Sequence, residues 1–122
     1  MTRQRRVILE EARRASGHPT VDEVYRRVRE RLPRISLGTV YRNLGRMGER
    51  GLLSEIRVAG EQKRYEGDVS PHQHLRCTRC GRLEDVRVEL PDELSDPPER
   101  MDGFSVERCE IQFLGVCPEC RA

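Results

Sequence analysis

The stretch HQHLRCTRCG, from His72 to Gly81, places two histidines and two cysteines in one short segment. Imidazole nitrogens and thiolate sulfurs are both good ligands for transition metals. The four side chains could form one site with two cysteines and two histidines, or they could belong to two sites with different roles. The cysteines in the rest of the chain decide between these interpretations.

A second Cys-x2-Cys motif, Cys117 and Cys120, lies near the C-terminus and matches the first motif, Cys77 and Cys80. Each motif forms a tight knuckle that directs two thiolates to one point, and two knuckles supply the four ligands of a structural Zn²⁺. The segment between the motifs is longer than in a compact zinc ribbon, so we expect a small β-domain to fold between them. The fifth cysteine, Cys109, is expected to be a small buried hydrophobic residue rather than a ligand.

This assignment leaves His72 and His74 for a second site. On a strand, residues i and i+2 point to the same face, so the two imidazoles would lie side by side. A site for Fe²⁺ or Mn²⁺ also needs carboxylate oxygens. The nearby candidates are Glu66, Asp68, Glu84 and Asp85. His18, the third histidine, precedes the second predicted helix, and taken alone it is more simply interpreted as a satisfied loop histidine.

The composition limits the class of protein. Hydrophobic residues make up 35% of the 122 residues and charged residues 36%, so the core is thin, and small domains of this kind usually need a metal or a partner subunit. No apolar run is long enough for a membrane span or a signal peptide. We therefore expect a soluble, cytoplasmic protein that does not bind membranes and whose cysteines bind metal rather than form disulfides.

The net charge of +2 conceals a difference between the two halves of the chain. Residues 1–64 contain 16 basic and 8 acidic residues, a balance of +8, whereas residues 65–122 contain 7 basic and 13 acidic residues, a balance of −6. A basic half followed by an acidic half indicates a module that binds a polyanion and a separate module for a ligand or partner. The alternative is a charged surface that is merely solvated.

The first half contains three predicted helices followed by a hairpin. Apolar spacing predicts a helix over residues 3–15, and a capping box formed by Thr20 and Glu23 opens a second helix that ends at Pro33. Ser36 is the expected N-cap of a third helix, and two short strands follow it. This order of elements predicts a winged helix-turn-helix.

The third helix is the expected recognition helix. Its inward-facing residues are predicted to be Leu37, Val40, Leu44 and Met47. The candidate DNA-binding residues are Thr39, Tyr41, Arg42, Asn43 and Arg46. Polar and basic side chains of these types contact base edges and phosphates. The alternative is an ordinary amphipathic helix with solvated arginines, but the basic first half favours double-stranded DNA as the partner.

The second half alternates in short apolar runs that predict strands, with a polar, proline-rich stretch between them. The predicted fold class is α+β, with an N-terminal winged helix-turn-helix domain followed by a small α/β zinc-containing domain. We place the first domain at residues 1–65, a hinge at 66–71 and the second domain at 72–122.

Four motifs together resemble the ferric uptake regulator family of bacterial metal-dependent repressors. They are HPT at 18–20, TVYRNL at 39–44, HQHLRCTRCG at 72–81 and CPEC at 117–120, so the resemblance extends over nearly the whole chain. It implies a homodimer that binds a palindromic operator, with the second domain responsible for dimerisation. It also implies a regulatory Fe²⁺ or Mn²⁺ held by His18, Glu66, His72, His74 and Asp85.

The resemblance also indicates which signal the protein senses. Members that respond to peroxide typically have aspartate at the position of Asp85, whereas iron-uptake regulators typically have glutamate there. Glu66 favours the iron-uptake branch, because the peroxide-responsive branch usually has aspartate at that position. Giving Asp85 more weight, we expect a repressor that senses hydrogen peroxide through iron-catalysed oxidation of a ligand histidine, His18 or His72. The alternative is a sensor of iron or another divalent metal.

Two other classes of function fit less well. An enzyme with a histidine and carboxylate metal centre would need room for substrate, and the chain contains no nucleophile constellation or phosphate-binding glycine loop. A zinc-stabilised interaction module that does not bind DNA would leave the basic half and the arginines of the third helix unexplained. We therefore expect a regulator rather than an enzyme.

Overall fold

The computed structural model describes residues 1–58 and 60–122. The chain divides into two compact units, an N-terminal unit, Met1–Ser70, and a C-terminal unit, Pro71–Ala122. The division falls within the segment 66–71 that the sequence predicts as the hinge. None of the helices in the described residues has both the length and the apolar character needed to span a lipid bilayer.

The N-terminal unit contains three helices followed by an antiparallel hairpin, and the predicted winged-helix order is confirmed. The elements are α1 (Arg3–Arg14), α2 (Val21–Arg31), α3 (Leu37–Glu49), β1 (Ser54–Ile56) and β2 (Arg64–Glu66). In the hairpin, Glu55 pairs with Tyr65. An isolated bridge between Thr20 and Arg64 attaches the loop before α2 to this hairpin.

Side-chain caps determine where the helices begin. The Oγ atom of Thr20 accepts a hydrogen bond of 3.3 Å from the backbone N–H of Glu23, and Ser36 accepts one of 3.1 Å from Thr39. Such caps satisfy amides that have no partner in the first turn of a helix. Both predicted helix starts are therefore confirmed.

The core of the N-terminal unit lies where the three helices meet the hairpin. Its buried members include Val7, Ile8, Ala12, Val24, Val28, Val40, Leu44, Met47, Leu53 and Tyr65. The prediction that Leu37 faces inward is wrong, because this side chain is 43% exposed. Leu37 is the first residue of α3. Since helical side chains lean toward the N-terminus, Leu37 projects past the end of the apolar stripe.

A buried carboxylate joins the first two helices. Glu11 on α1 is only 6% exposed. Its carboxylate lies 3.3 Å from Nε of Arg27 and 3.0 Å from Nη1 of Arg31, both on α2. A charge taken out of water is tolerated when it is paired, so this cluster holds the two helices in one relative position.

The C-terminal unit is built on a three-stranded mixed sheet with strand order β4-β3-β7. Its elements are β3 (Gln73–Cys77), β4 (Leu83–Val86), α4 (Asp92–Ser95), β5 (Arg100–Met101), β6 (Phe104–Ser105), β7 (Gln112–Gly115) and α5 (Pro118–Arg121). Strand β3 pairs antiparallel with β4 and parallel with β7. The polar stretch between the apolar runs contains α4. The last apolar run divides into the separate strands β6 and β7.

The C-terminal unit exposes many of its large apolar side chains. Phe104 is 75% exposed and Leu114 is 60% exposed. Leu75, Met101 and Phe113 are also exposed. In the described part of this unit, Cys77 is the one apolar residue that is buried. A unit with so little buried core needs a bound metal or a partner surface to stabilise it.

Candidate metal centres and nucleic-acid interface

The four cysteines of the two knuckles come together in the C-terminal unit. The sulfur atoms of Cys77, Cys80, Cys117 and Cys120 all lie within 4.8 Å of one another, and those of Cys80 and Cys117 are 3.7 Å apart. A tetrahedral zinc site with bonds of about 2.3 Å places its sulfurs about 3.8 Å apart. The donor set therefore fits structural Zn²⁺ in both chemistry and spacing.

Local backbone geometry shapes the first knuckle. The N–H of Gly81 donates to the carbonyl of Cys77, and the N–H of Cys77 donates to the carbonyl of Arg82. Gly81 has a φ of +79°, a conformation that a residue with a side chain rarely adopts. The glycine that follows Cys80 therefore allows the chain to turn back after the second ligand.

Hydrogen bonds prepare one of the four sulfurs to be a thiolate. The Sγ atom of Cys77 accepts from the backbone N–H of Cys117 at 3.4 Å and from that of Cys80 at 3.5 Å. These donors lower the pKa of Cys77 to about 5. The pKa of Cys120 is raised to about 12 by its hydrogen bond to the Cys117 side chain and by burial. Since thiolates repel one another at this distance, a bound cation would stabilise the charged form of the cluster.

Cys109 lies outside this cluster. The expectation that it is buried is wrong, because the side chain is exposed. It lies between β6 and β7, where the structure forms a connection instead of the continuous strand that the apolar run predicts. Without a strand to turn it toward a sheet face, the cysteine faces solvent.

The two histidines of the H-x-H motif share a carboxylate in the C-terminal unit. His74 on β3 is paired across the sheet with Asp85 on β4, and His72 lies immediately before β3. The Oδ1 atom of Asp85 is 3.2 Å from Nε2 of His72 and 3.3 Å from Nε2 of His74. The imidazole centroids are 4.8 Å apart with the ring planes at 66°, so the two rings are close neighbours, as strand spacing predicts. Two nitrogens and one oxygen thus converge on one point.

Strand register distinguishes Asp85 from its acidic neighbour. Glu84 is paired with Leu75, so it lies on the opposite face of the sheet from His74, and its carboxylate binds Arg82. The carboxylate of Asp68, in the N-terminal unit, accepts a hydrogen bond of 2.9 Å from the backbone N–H of Ser70. Of the two acidic residues on β4, only Asp85 can reach the imidazoles.

The N-terminal unit contains a second histidine–carboxylate pair. Nε2 of His18 lies 3.1 Å from Oε2 of Glu66, and both side chains are largely buried. The hairpin holds the histidine loop in place, because Nη1 of Arg64 donates to the carbonyl of His18 and the N–H of Tyr65 donates to that of Pro19. His18 therefore has a carboxylate partner that the loop sequence does not reveal.

The candidate DNA-binding residues lie on the outer side of α3. Tyr41 is 61% exposed, and Arg42 and Arg46 are also exposed. Asn43 is half-buried, and its Nδ2 donates to the carbonyl of Thr39 at 2.8 Å. The two arginines and the tyrosine are therefore accessible from solvent, whereas Thr39 and Asn43 are partly covered.

The two interior glycines of α3 differ in their surroundings, which leads to a stability prediction. A methyl group added at Gly45 would meet no atom within 4 Å, whereas one added at Gly48 would lie 2.6 Å from Cγ of Glu55. Since alanine favours a helix interior by about 0.8–1 kcal/mol over glycine, Gly45→Ala should raise the free energy of unfolding by about that amount. Gly48→Ala should give no gain, because Glu55 must move away from Lys63.

Urea unfolding of the two variants, followed by far-ultraviolet circular dichroism, measures this difference. The two substitutions add the same methyl group to the same helix, so each is the control for the other. Equal stabilisation by both would contradict the close approach of Glu55 to the helix.

Sequence reasoning missed the charged residues that join the two knuckles. Arg82, two residues after the first knuckle, forms an ion pair with Glu119, which lies inside the second. Nη1 of Arg79 donates to the carbonyl of Cys120 at 3.0 Å. The only signal in the sequence is that oppositely charged residues lie within or next to the two motifs.

Comparison with known proteins places the chain in a family. Residues 1–114 match the model of the ferric uptake regulator family. The chain is similar to the peroxide operon regulator of Bacillus subtilis strain 168, with 33% identity over 120 residues that cover 98% of this chain and 83% of the relative.

Solved structures agree. The crystal structure of the Campylobacter jejuni peroxide stress regulator matches with a TM-score of 0.72 and 32% identity, covering 96% of this chain and 88% of that one. The Helicobacter pylori ferric uptake regulator matches with a TM-score of 0.79 over 100% of this chain and 82% of that one, and at 19% identity it supports the fold alone. The predicted resemblance, including that to the peroxide-responsive branch, is confirmed. The chain belongs to the ferric uptake regulator family.

Proposed function

We propose that this protein is a metal-dependent transcriptional repressor that senses hydrogen peroxide. The observation that carries the proposal is the convergence of His72 and His74 on one oxygen of Asp85, at 3.2 and 3.3 Å. The relatives from Bacillus subtilis and Campylobacter jejuni, named for peroxide regulation, support the same function. On this proposal the chain acts as a regulator rather than as an enzyme.

The regulatory metal would be held by ligands from both units. The N-terminal unit supplies His18 and Glu66, and the C-terminal unit supplies His72, His74 and Asp85. A set of imidazoles and carboxylates suits Fe²⁺ or Mn²⁺, while the four cysteines suit Zn²⁺. Because the ligands come from both units, metal binding favours the arrangement of the units in which all five can contribute, and this couples the metal to DNA affinity.

The sensing step would act on a ligand histidine. An Fe²⁺ ion held by these histidines and carboxylates would supply the one-electron chemistry that activates hydrogen peroxide. The ring of His18 or His72 then gains one oxygen atom from the peroxide, and the other oxygen leaves as water. An oxidised ring is a poorer ligand, so the site loses one of its donors and the arrangement that binds DNA is no longer favoured.

The repressor would bind DNA as a homodimer. The exposed apolar side chains of the C-terminal unit, including Phe104 and Leu114, support a partner surface there. Two copies present two α3 helices, so the expected operator is palindromic double-stranded DNA contacted by Thr39, Tyr41, Arg42, Asn43 and Arg46. On this proposal the protein acts in the cytoplasm, where chromosomal DNA lies, and has no membrane partner.

The test is a mass spectrum of protein loaded with Fe²⁺, before and after a low dose of peroxide. We expect one added oxygen on a peptide that contains His18 or His72, together with loss of operator binding. Protein loaded with Mn²⁺ is the control and should show neither change. No added oxygen on either histidine in the iron-loaded protein would overturn peroxide sensing.

A second function on the same scaffold is a sensor of iron or another divalent metal. Glu66 favours it, because this residue departs from the aspartate usual in the peroxide-responsive branch. In that case operator binding would follow the concentration of one metal and would survive peroxide. Titration of Fe²⁺, Mn²⁺, Ni²⁺ and Zn²⁺ against operator binding distinguishes the two functions.

A further inference from the structure

The two cysteine knuckles are joined by contacts in which no cysteine side chain takes part. The backbone N–H of Thr78 donates to the carbonyl of Gly115 at 2.8 Å. Nη1 of Arg79 donates to the carbonyl of Cys120 at 3.0 Å, and Arg82 pairs with Glu119. The segment that follows β3 thus contacts the end of β7 and helix α5 at several points.

Arg82 has a geometry suited to this role. Its Nε donates to Oε1 of Glu84 at 2.8 Å, and Glu84 lies on β4, which begins one residue after Arg82. Its Nη1 pairs with Glu119 on α5. Glu84 therefore binds the guanidinium from the same stretch of chain, whereas Glu119 binds it from the other knuckle. A planar guanidinium with several donors can hold two carboxylates at once, which an ammonium group does less well.

The charge of Arg82 also suits the neighbourhood of a zinc site. A Zn²⁺ ion bound by four thiolates carries net negative charge, so a nearby cation stabilises the occupied site. An arginine guanidinium stays protonated at physiological pH, and this one lies beside the carboxylates of Glu84 and Glu119. The guanidinium is thus a permanent cation between the two knuckles.

We propose that Arg82, through Glu119, is a positioning residue of the zinc site that clamps the two knuckles together and slows the release of zinc. This rests on the zinc site proposed above. Zinc can leave only when thiolates from one knuckle move away from those of the other, because the four sulfurs surround the metal. A bridge between the knuckles opposes that separation, as outer contacts to metal ligands generally do.

Two variants separate a clamp from a simple effect of charge. Arg82→Gln removes a cation near the thiolates, and Glu119→Gln removes an anion. An effect of charge alone would therefore raise the rate of zinc release in one variant and lower it in the other. A clamp predicts faster release in both, because each variant breaks the same bridge. We expect about a 3- to 10-fold faster release in each, since outer-shell contacts to zinc ligands affect affinity by about 10-fold or more and this pair is partly exposed.

Glu84→Gln is the matched control. It removes one carboxylate from Arg82, as Glu119→Gln does, but Glu84 does not connect the knuckles. Its release rate should stay within about 2-fold of the wild type. Arg82→Lys keeps the positive charge and should restore part of the slow release. The double variant of Arg82 and Glu119 should release zinc no faster than the single variants, because the bridge is already broken in each.

The measurement uses the full zinc-loaded chain, with release into excess chelator followed by a chromogenic zinc indicator. Zinc content and circular dichroism are recorded first. A wild-type chain without one zinc per chain would overturn the zinc site itself. A wild type that holds zinc, with Glu119→Gln releasing it at the rate of Glu84→Gln or more slowly than the wild type, would overturn only the clamp.

Discussion

Replacing Cys77 with serine is expected to abolish tight zinc binding and to unfold the C-terminal unit while the helices of the N-terminal unit remain. Cys77 is buried, and its sulfur accepts two backbone N–H bonds from the two knuckles. Structural zinc contributes about 10–16 kcal/mol to the folding of small zinc domains. The C-terminal unit has almost no buried apolar core to replace that contribution.

Hydrogen exchange read by mass spectrometry measures this outcome along the chain, together with zinc content. Protection should fall to the level of an unfolded chain across residues 71–122 and should persist in the core of residues 1–70. Cys109→Ser is the control, because that cysteine is exposed and lies outside the cluster. A Cys77 variant that keeps both its zinc and its protection would refute the structural role of the four cysteines.

Arg42→Ala is expected to weaken specific operator binding strongly without changing stability. The side chain is exposed on α3 and contributes nothing to the core. An arginine contact to a base is worth about 1–3 kcal/mol, and a dimer would lose two of them, so affinity should fall by roughly 30-fold or more. If Arg42 contacts a phosphate instead, the salt dependence of binding should become less steep.

Fluorescence anisotropy tests this expectation. The metal-loaded protein is titrated against a palindromic duplex selected by the wild type, across a range of salt concentrations. Arg121→Ala is the charge-matched control, because Arg121 is exposed in the last helix, far along the chain from α3. A Thr39→Ala variant should show a smaller loss, since Thr39 is half-buried and its hydroxyl already contacts Ser36. Operator affinity unchanged by Arg42→Ala would rule out α3 as the recognition helix.

Local signals in the sequence predict much of the fold. Thr20 and Ser36 predict where two helices begin, because a capping side chain bonds only to the first turn of its own helix. The structure shows both caps. The two Cys-x2-Cys motifs are local signals of the same kind, because each knuckle forms from its own few residues. Errors arose where the answer depends on distant parts of the chain. Leu37 has the correct spacing for the core but lies at the end of the helix, and Cys109 lies in an apolar run that does not form one strand.

The sequence by itself determined the order of elements, the helix caps and the residue types that bind zinc and a regulatory metal, because these depend on neighbours along the chain. Spacing alone left four carboxylates as candidates, and only the tertiary structure shows why Asp85 faces the imidazoles, since the register of β3 and β4 places it rather than Glu84 opposite His74. It also decided that Arg82 meets Glu119, because the parallel pairing of β3 and β7 brings together segments distant in sequence. Contacts between such segments depend on strand register and loop closure, and local spacing does not reveal either.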